Sequence, residues 1–219
     1  YFWEVSANRS CPTKIPGSPF IFSRTPLYLR RAAPRLGEHT EEVLSEAKGI
    51  LISAPVQPTI IGQSDGSARH RLPLDGVRVV DFGQVVSIPI STQLLGWMGA
   101  DVIIVETRKR LLSRSNPPFA YGQQSPNAAG SFNALATNKR SVTLNLTTPE
   151  GLTLARDLIR TADVVVDNFT TGTMEKLGLG YEQLRELRSD LVVLSAGGFG
   201  RTGEMASSVA LHSSVNMVS

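Results

Sequence analysis

GVRVVDFGQVVSIPISTQLLGWMGADVIIVE, residues 76–106, is the stretch whose reading decides the fold. VRVVDF (77–82) is a short β-branched run of the kind that makes a strand buried on both faces. Pro89 suits the first turn of a helix, which continues through ISTQLLGWMG to a glycine stop at Gly99. DVIIVE (101–106) reads as a second strand. A strand, a helix and a strand in so short a span make the βαβ unit of a parallel sheet, because parallel neighbours need a crossover between them.

The pattern repeats downstream. A long loop at 107–133, rich in Pro, Asn, Gln and Gly, leads to SVTLNL (141–146), a third strand; such length without regular structure predicts function or mobility. In TTPEGLTLARDLIRTA, Thr148 is placed to cap a helix, Pro149 fits its first position and Glu150 its positive end. Leu152, Ala155, Ile159 and Ala162 then share one face. DVVVDNF (163–169) is a fourth strand, YEQLRELR a short helix and DLVVLSA (190–196) a fifth strand. The predicted class is α/β, a doubly wound, Rossmann-like parallel sheet. Upstream, residues 1–33 are punctuated by prolines and read as irregular. Thr40 can cap a short helix with Glu41 and Glu42 in its first turn and Gly49 as its stop, and 50–71 read as a Pro/Gly/Ser linker.

Composition narrows the function. The 219 residues are 41% hydrophobic and 19% charged, ordinary for a soluble globular chain. A net charge of +3 favours an anionic small ligand over nucleic acid, which calls for a denser basic face. The dense basic run RKRLLSR (108–114) reads equally as a solvated loop or a phosphate contact. A single cysteine, Cys11, excludes an internal disulfide and a Cys-based zinc site, and His39, His70 and His212 have no ligand-like spacing, so no metal is expected. These features suit a reducing cytoplasm. ILISAPVQPTIIG (50–62) is too short and too interrupted by proline to span a membrane. The chain opens on Tyr1 without a signal pattern, which predicts processing or an incomplete reading frame.

Open α/β sheets bind ligands at the carboxyl ends of their strands. After the first strand, GQVVSIP runs into a helix N-terminus suited to an anion. Glu106 is placed to accept from a ribose hydroxyl, Asn168 stands at a strand end with Lys176 beyond it, and Lys139 and Arg140 of NKR are able to meet phosphate. Each has a blander reading: a solvated Glu106, a turn-capping Asn168, a surface Lys176. GFGRTG (198–203) matches a dinucleotide fingerprint but follows the wrong strand. Its glycines read better as a tight exit turn, and an NAD-dependent oxidoreductase rests on that motif alone.

Five ordered motifs, PLDGVRVVDF, MGADVIIVE, NKRSVTLNLTTPEG, DVVVDNFTTGTMEKLGLGYEQL and GFGRTG, cover residues 72–203 almost continuously. Together they resemble the class III coenzyme A-transferases, the family of formyl-CoA transferase, carnitine CoA-transferase and α-methylacyl-CoA racemase. The resemblance implies coenzyme A contacts from Gln84, Val85, Val86 and Ser87, from Lys139, from Asn168 and Phe169, and from Lys176 where an arginine often stands. Thr107 takes the place of an adenine-facing arginine, with Arg108 as its substitute one position on. Ile88 replaces a glycine and is expected to crowd the ligand, and Val86 replaces a polar glutamine of the oxalate-type enzyme.

The implied activity moves coenzyme A from an acyl-CoA to a free carboxylic acid through an acyl anhydride on an aspartate. Coenzyme A is then a substrate, with no tightly bound cofactor, no nucleic acid and no membrane partner. The aspartate's segment is expected beyond Ser219, with His212 where many members carry a supporting carboxylate and Leu211 where the racemase carries its histidine. No catalytic residue is assigned, and the chain is expected to be inactive alone; a non-catalytic coenzyme A-binding domain is the alternative. Residues 1–49 resemble the family's carboxyl tail, and 72–219 its amino-terminal half. The expectation is a junction fragment of a tandem-copy member, and the rival is a tail that docks on the half-domain following it. The family's interlocked homodimer is implied too, although loss of its second domain would leave an exposed apolar patch.

Overall fold

The computed structural model describes residues 2–5, 13–49 and 72–210; the expected linker and His212 lie outside them. The chain begins with an antiparallel pair, β1 (Phe2–Val5) and β2 (Thr13–Pro16), where the prolines predict irregular structure. Helix α1 (Thr40–Ala47) follows; Thr40 is its first residue, with its hydroxyl donating to Gly37 O, and His39 takes the cap position. Then come β3 (Arg78–Asp81), α2 (Ser87–Trp97), β4 (Asp101–Glu106), α3 (Gly130–Leu135), β5 (Lys139–Thr143), α4 (Pro149–Arg160), β6 (Val164–Asp167), α5 (Thr173–Lys176), α6 (Tyr181–Leu187) and β7 (Val192–Ser195). The stretch expected as one long loop holds 3₁₀ turns at Leu112–Arg114 and Ala120–Gly122 besides α3, and β5 starts two residues before the expected strand.

The five strands β3–β7 form one parallel sheet in the order β5-β4-β3-β6-β7. The chain works outward from β3 in one direction and then, from β6, in the other. That reversal opens a crevice between the carboxyl ends of β3 and β6. Alternate strand residues face opposite layers. Val80, Ile103, Val142 and Val165 join Ala155, Leu158 and Ile159 of α4 and Leu184 of α6 in the larger core. Val79, Val102 and Val166 pack with Ile88 of α2, and Ile104 with Phe132 of α3. Thr148 caps α4 by accepting from Gly151 N, as its sequence predicts.

The sheet's two edges are treated differently. β7 presents Val192 and Leu194 at 58% and 49% exposure, without cover among the described residues. β5 is shielded by the amino-terminal segment. Asn138 N donates to Arg31 O, His39 N to Ser141 O, and Thr143 N to the Thr40 hydroxyl, which removes an open ladder edge. Asn138 adds its side chain: Oδ1 accepts from the Arg30 and Arg31 amides, and Nδ2 donates to Tyr28 O. Arg30 donates to Gly96 O in the last turn of α2 and to Ala100 O just before β4. At the amino end of the sheet, Glu42 and Glu46 of α1 converge on Arg140, which also pairs with Asp101, while Arg78 bridges Glu46 and Asp101. Burial pushes the Asp101 carboxyl up, but Arg140 and Arg78 overcome it and hold the group below its ordinary range. The amino-terminal segment therefore packs against the β5 edge and the amino end of the sheet.

His39 sits in that contact, 6% exposed, with the donor-only guanidinium of Arg31 at 2.6 Å from Nε2. Burial and then the Arg31 charge lower its pKa below the usual 6.5. The folded protein thus holds a neutral imidazole while the unfolded chain takes up a proton near 6.5, so stability is full above that pH and falls as pH drops below it. Urea midpoints at pH 7.5 and 5.5 test this: wild type loses stability at the lower pH, and His39→Gln lacks that share of the loss.

Candidate functional site

A cavity of about 790 Å³ lies at the carboxyl ends of the strands, within the usual range for small-molecule sites. Every strand of the sheet contributes to its wall through its end or the residues just beyond: Phe82, Glu106, Leu144, Asn168 and Ala196. Half of the lining residues are aliphatic or aromatic, with Lys109 and Arg110 on the loop after β4 as the wall's cations among the described residues.

The centre of the wall is the turn from β3 into α2. Val85 has φ +64, a conformation that costs a β-branched residue on the order of 1–3 kcal/mol. Neighbours on three sides hold the turn. Asn168, just beyond β6, accepts from Gln84 N and donates to Gln84 O and Ser87 Oγ, so it clamps the turn across the crevice. Ser113 Oγ accepts from Val85 N at 2.9 Å. Asp81 Oδ1 accepts from Gly83 N at 2.7 Å. Glycine is required at 83, because a Cβ there would overlap the Ile88 side chain. The two strands flanking the crevice end alike: Asp167 accepts from Phe169 N as Asp81 does from Gly83 N, and each carboxylate's other oxygen takes a hydroxyl, from Ser195 and Thr92 respectively.

The structure brings Gln84, Val85, Val86, Ser87, Asn168 and Phe169 together on the cavity wall. It places the other sequence candidates elsewhere. Lys139 is buried, its ammonium donating to Pro89 O and Thr92 Oγ1 at 2.7 Å and lying 3.4 Å from Asp81; desolvation lowers its pKa despite that carboxylate. Arg140 belongs to the ion-pair cluster at the sheet's opposite end, not to a phosphate site. Glu106 reaches the wall but is not available to a ribose: its two oxygens take Arg114 Nε and Nη2 at 2.7 Å each, and Oε2 also accepts from Ser141. Arg108 and Lys176 are exposed and lie outside the cavity lining. Ile88 does not crowd the site; it is 2% exposed and points into the core beneath the turn.

Sequence reasoning left Lys109 and Arg110 inside a basic run open to two readings, solvated loop or phosphate contact, and missed the segment Leu144–Thr147; the structure puts all of them on the wall. The strand-end rule finds that segment when applied past β5 rather than before it. Arg114, the last residue of the basic run, is fully buried: besides Glu106 it donates to Pro34 O and stacks on Phe132 at 3.5 Å. The GFGRTG stretch forms a close turn, with Gly200 N donating to Gly197 O and Gly198 on the cavity wall.

Residues 74–219 match the sequence model of CoA-transferase family III. The chain belongs to that family. Among curated relatives of this transferase family, the succinyl-CoA:mesaconate CoA-transferase of Haloarcula marismortui is 48% identical over 133 residues, covering 60% of this chain and 34% of its own. The succinate–glutarate CoA-transferase of Agrobacterium fabrum is 42% identical over 137 residues, covering 61% and 34%. The chain thus spans about a third of the length of these relatives. A crystal structure of a CAIB/BAIF family protein from Brucella suis superposes with a TM-score of 0.58 at 37% identity, over 64% of this chain and 37% of that one. Among the described residues, no helix is long and apolar enough to cross a membrane, and no cluster of His, Cys, Asp and Glu could hold a metal.

Proposed function

We propose that the cavity binds coenzyme A and that this chain supplies the coenzyme-binding part of an acyl-CoA transferase, which passes the coenzyme from an acyl-CoA to a free carboxylic acid. The observation that carries the reading is the strained, clamped turn at the start of α2, set on a 790 Å³ cavity whose cations are Lys109 and Arg110. The helix start offers amides and a positive dipole end to phosphate. Lys109 and Arg110 take the remaining anionic charge, in place of the Arg108, Lys139 and Lys176 contacts implied by resemblance. The aliphatic wall suits the pantetheine arm.

In the proposed reaction a carboxylate attacks the acyl thioester and expels the coenzyme thiolate, forming an acyl anhydride; the acceptor acid displaces the donor acid from that anhydride, and the thiolate then attacks the acceptor's acyl carbon, giving the new thioester and freeing the carboxylate. Glu106, the carboxylate of this wall among the described residues, is committed to Arg114, and Asp81 and Asp167 outside its lining are committed to the turns. We therefore assign the nucleophile to none of them. The chain alone is expected to bind coenzyme A without transfer, so label moving from an acyl-CoA to a free acid would contradict this division of labour. Lys109→Ala/Arg110→Ala is expected to weaken coenzyme A by roughly tenfold and to flatten its salt dependence, read by calorimetric titration at two ionic strengths. An unchanged affinity would move the phosphate site elsewhere. A tandem-copy origin for the docked amino-terminal segment, and an interlocked dimer, belong to the same proposal.

A further inference from the structure

The buried ammonium of Lys139 touches both ends of the cavity turn. On the entry side lies Asp81, whose Oδ1 fixes Gly83 N and whose Oδ2 takes the Thr92 hydroxyl and faces Lys139 Nζ at 3.4 Å. On the exit side lies Pro89 O, in the first turn of α2, to which Lys139 donates at 2.7 Å. Thr92, one helical turn further, accepts from Lys139 at 2.7 Å and joins the two sides. All three side chains are at most 1% exposed. Between the anchored ends runs the segment that carries Val85 at φ +64. A β-branched residue persists in that conformation only where its surroundings over-determine it.

We infer that Lys139, with Asp81 and Thr92, is a positioning centre of the ligand-binding turn: it meets no ligand, but pins the entry and exit of residues 83–87 and so keeps Val85, Val86 and Ser87 on the cavity wall. The ion pair is buried for this purpose. An apolar pair of similar shape would fill the space at least as favourably, since burying charges gains little net stability. What the apolar pair lacks is directed hydrogen bonds to a carbonyl and a hydroxyl on one side and a carboxylate on the other. The binding arm of the test rests on the coenzyme A reading above; the exchange arm does not.

The test uses Lys139→Met/Asp81→Asn, which removes both charges together and leaves an acceptor for Gly83 N, so that no uncompensated charge stays buried. Amide hydrogen exchange of the ligand-free full chain is expected to speed up by about tenfold at 83–87 while β5 and the body of α2 keep wild-type protection. Coenzyme A affinity falls by roughly the same factor. Thr92→Val, which keeps both charges, serves as the second variant and shifts exchange at 83–87 in the same direction by a smaller factor. Wild-type exchange at 83–87 in either folded variant overturns the inference, as does loss of protection spread evenly over β5 and α2. Failure of the wild-type chain to take up coenzyme A would count against the reading of the cavity, while the exchange measurement would still decide the role of Lys139.

Discussion

Arg114→Leu is expected to lower the unfolding free energy by about 3–5 kcal/mol, the usual penalty for removing one partner of a buried ion pair. Arg114 is 1% exposed and supplies two hydrogen bonds to Glu106, which is 8% exposed. The substitution leaves that carboxylate with Ser141 as its remaining donor in the cluster. It also removes the contact to Pro34 O, through which the amino-terminal segment reaches the cavity's supporting structure. Urea denaturation of the full chain measures the loss. Adding Glu106→Leu should recover much of it, because the pair then leaves together; a double variant no better than the single one would mean that Arg114 acts through Pro34 and Phe132 instead.

The second large effect is on binding. Asn168→Ala removes three hydrogen bonds that hold the turn across the crevice, two to the backbone of Gln84 and one to Ser87. At about 0.5–1.5 kcal/mol each, and with part of the loss absorbed as stability, a penalty of about 2 kcal/mol is expected, roughly thirtyfold in Kd for coenzyme A. Val85 is then free to leave its strained conformation, and the turn loses its shape before a ligand arrives. Asn168→Asp separates geometry from charge. It keeps the acceptor for Gln84 N but loses both donations, so it should bind at least as poorly.

Much of the fold was legible because a parallel sheet buries its strands on both faces. VRVVDF, DVIIVE, DVVVDNF and DLVVLSA carry that requirement in their β-branched runs, and Thr148–Pro149–Glu150 marks the start of α4 unambiguously. The β1–β2 pair and the short helices α3 and α5 were not legible: such segments are too short for a periodic signal, and tertiary contacts decide them, as when Phe132 of α3 packs under Ile104. The strand-end rule located the turn at 84–87 and the clamp at 168, since both follow from topology. The fates of the charged residues did not follow. Lys139 and Arg140 are neighbours in sequence and on a strand, so they point to opposite faces: one into the layer beneath α2, the other toward α1. Glu106 and Arg114 look like a free acid and a loop cation until the loop folds back and joins them. Side-chain commitment depends on partners distant in sequence, which neither spacing nor composition records.

The carboxyl-end cavity, with its clamped turn and its two loop cations, is proposed as a coenzyme A site. Calorimetric titration of the full chain with coenzyme A and, separately, with NAD tests it most directly. The predicted result is saturable one-to-one binding of coenzyme A, weakened by Asn168→Ala and by Lys109→Ala/Arg110→Ala, with NAD giving no comparable heat. Absence of saturable coenzyme A binding, or equal affinity for NAD, would contradict it.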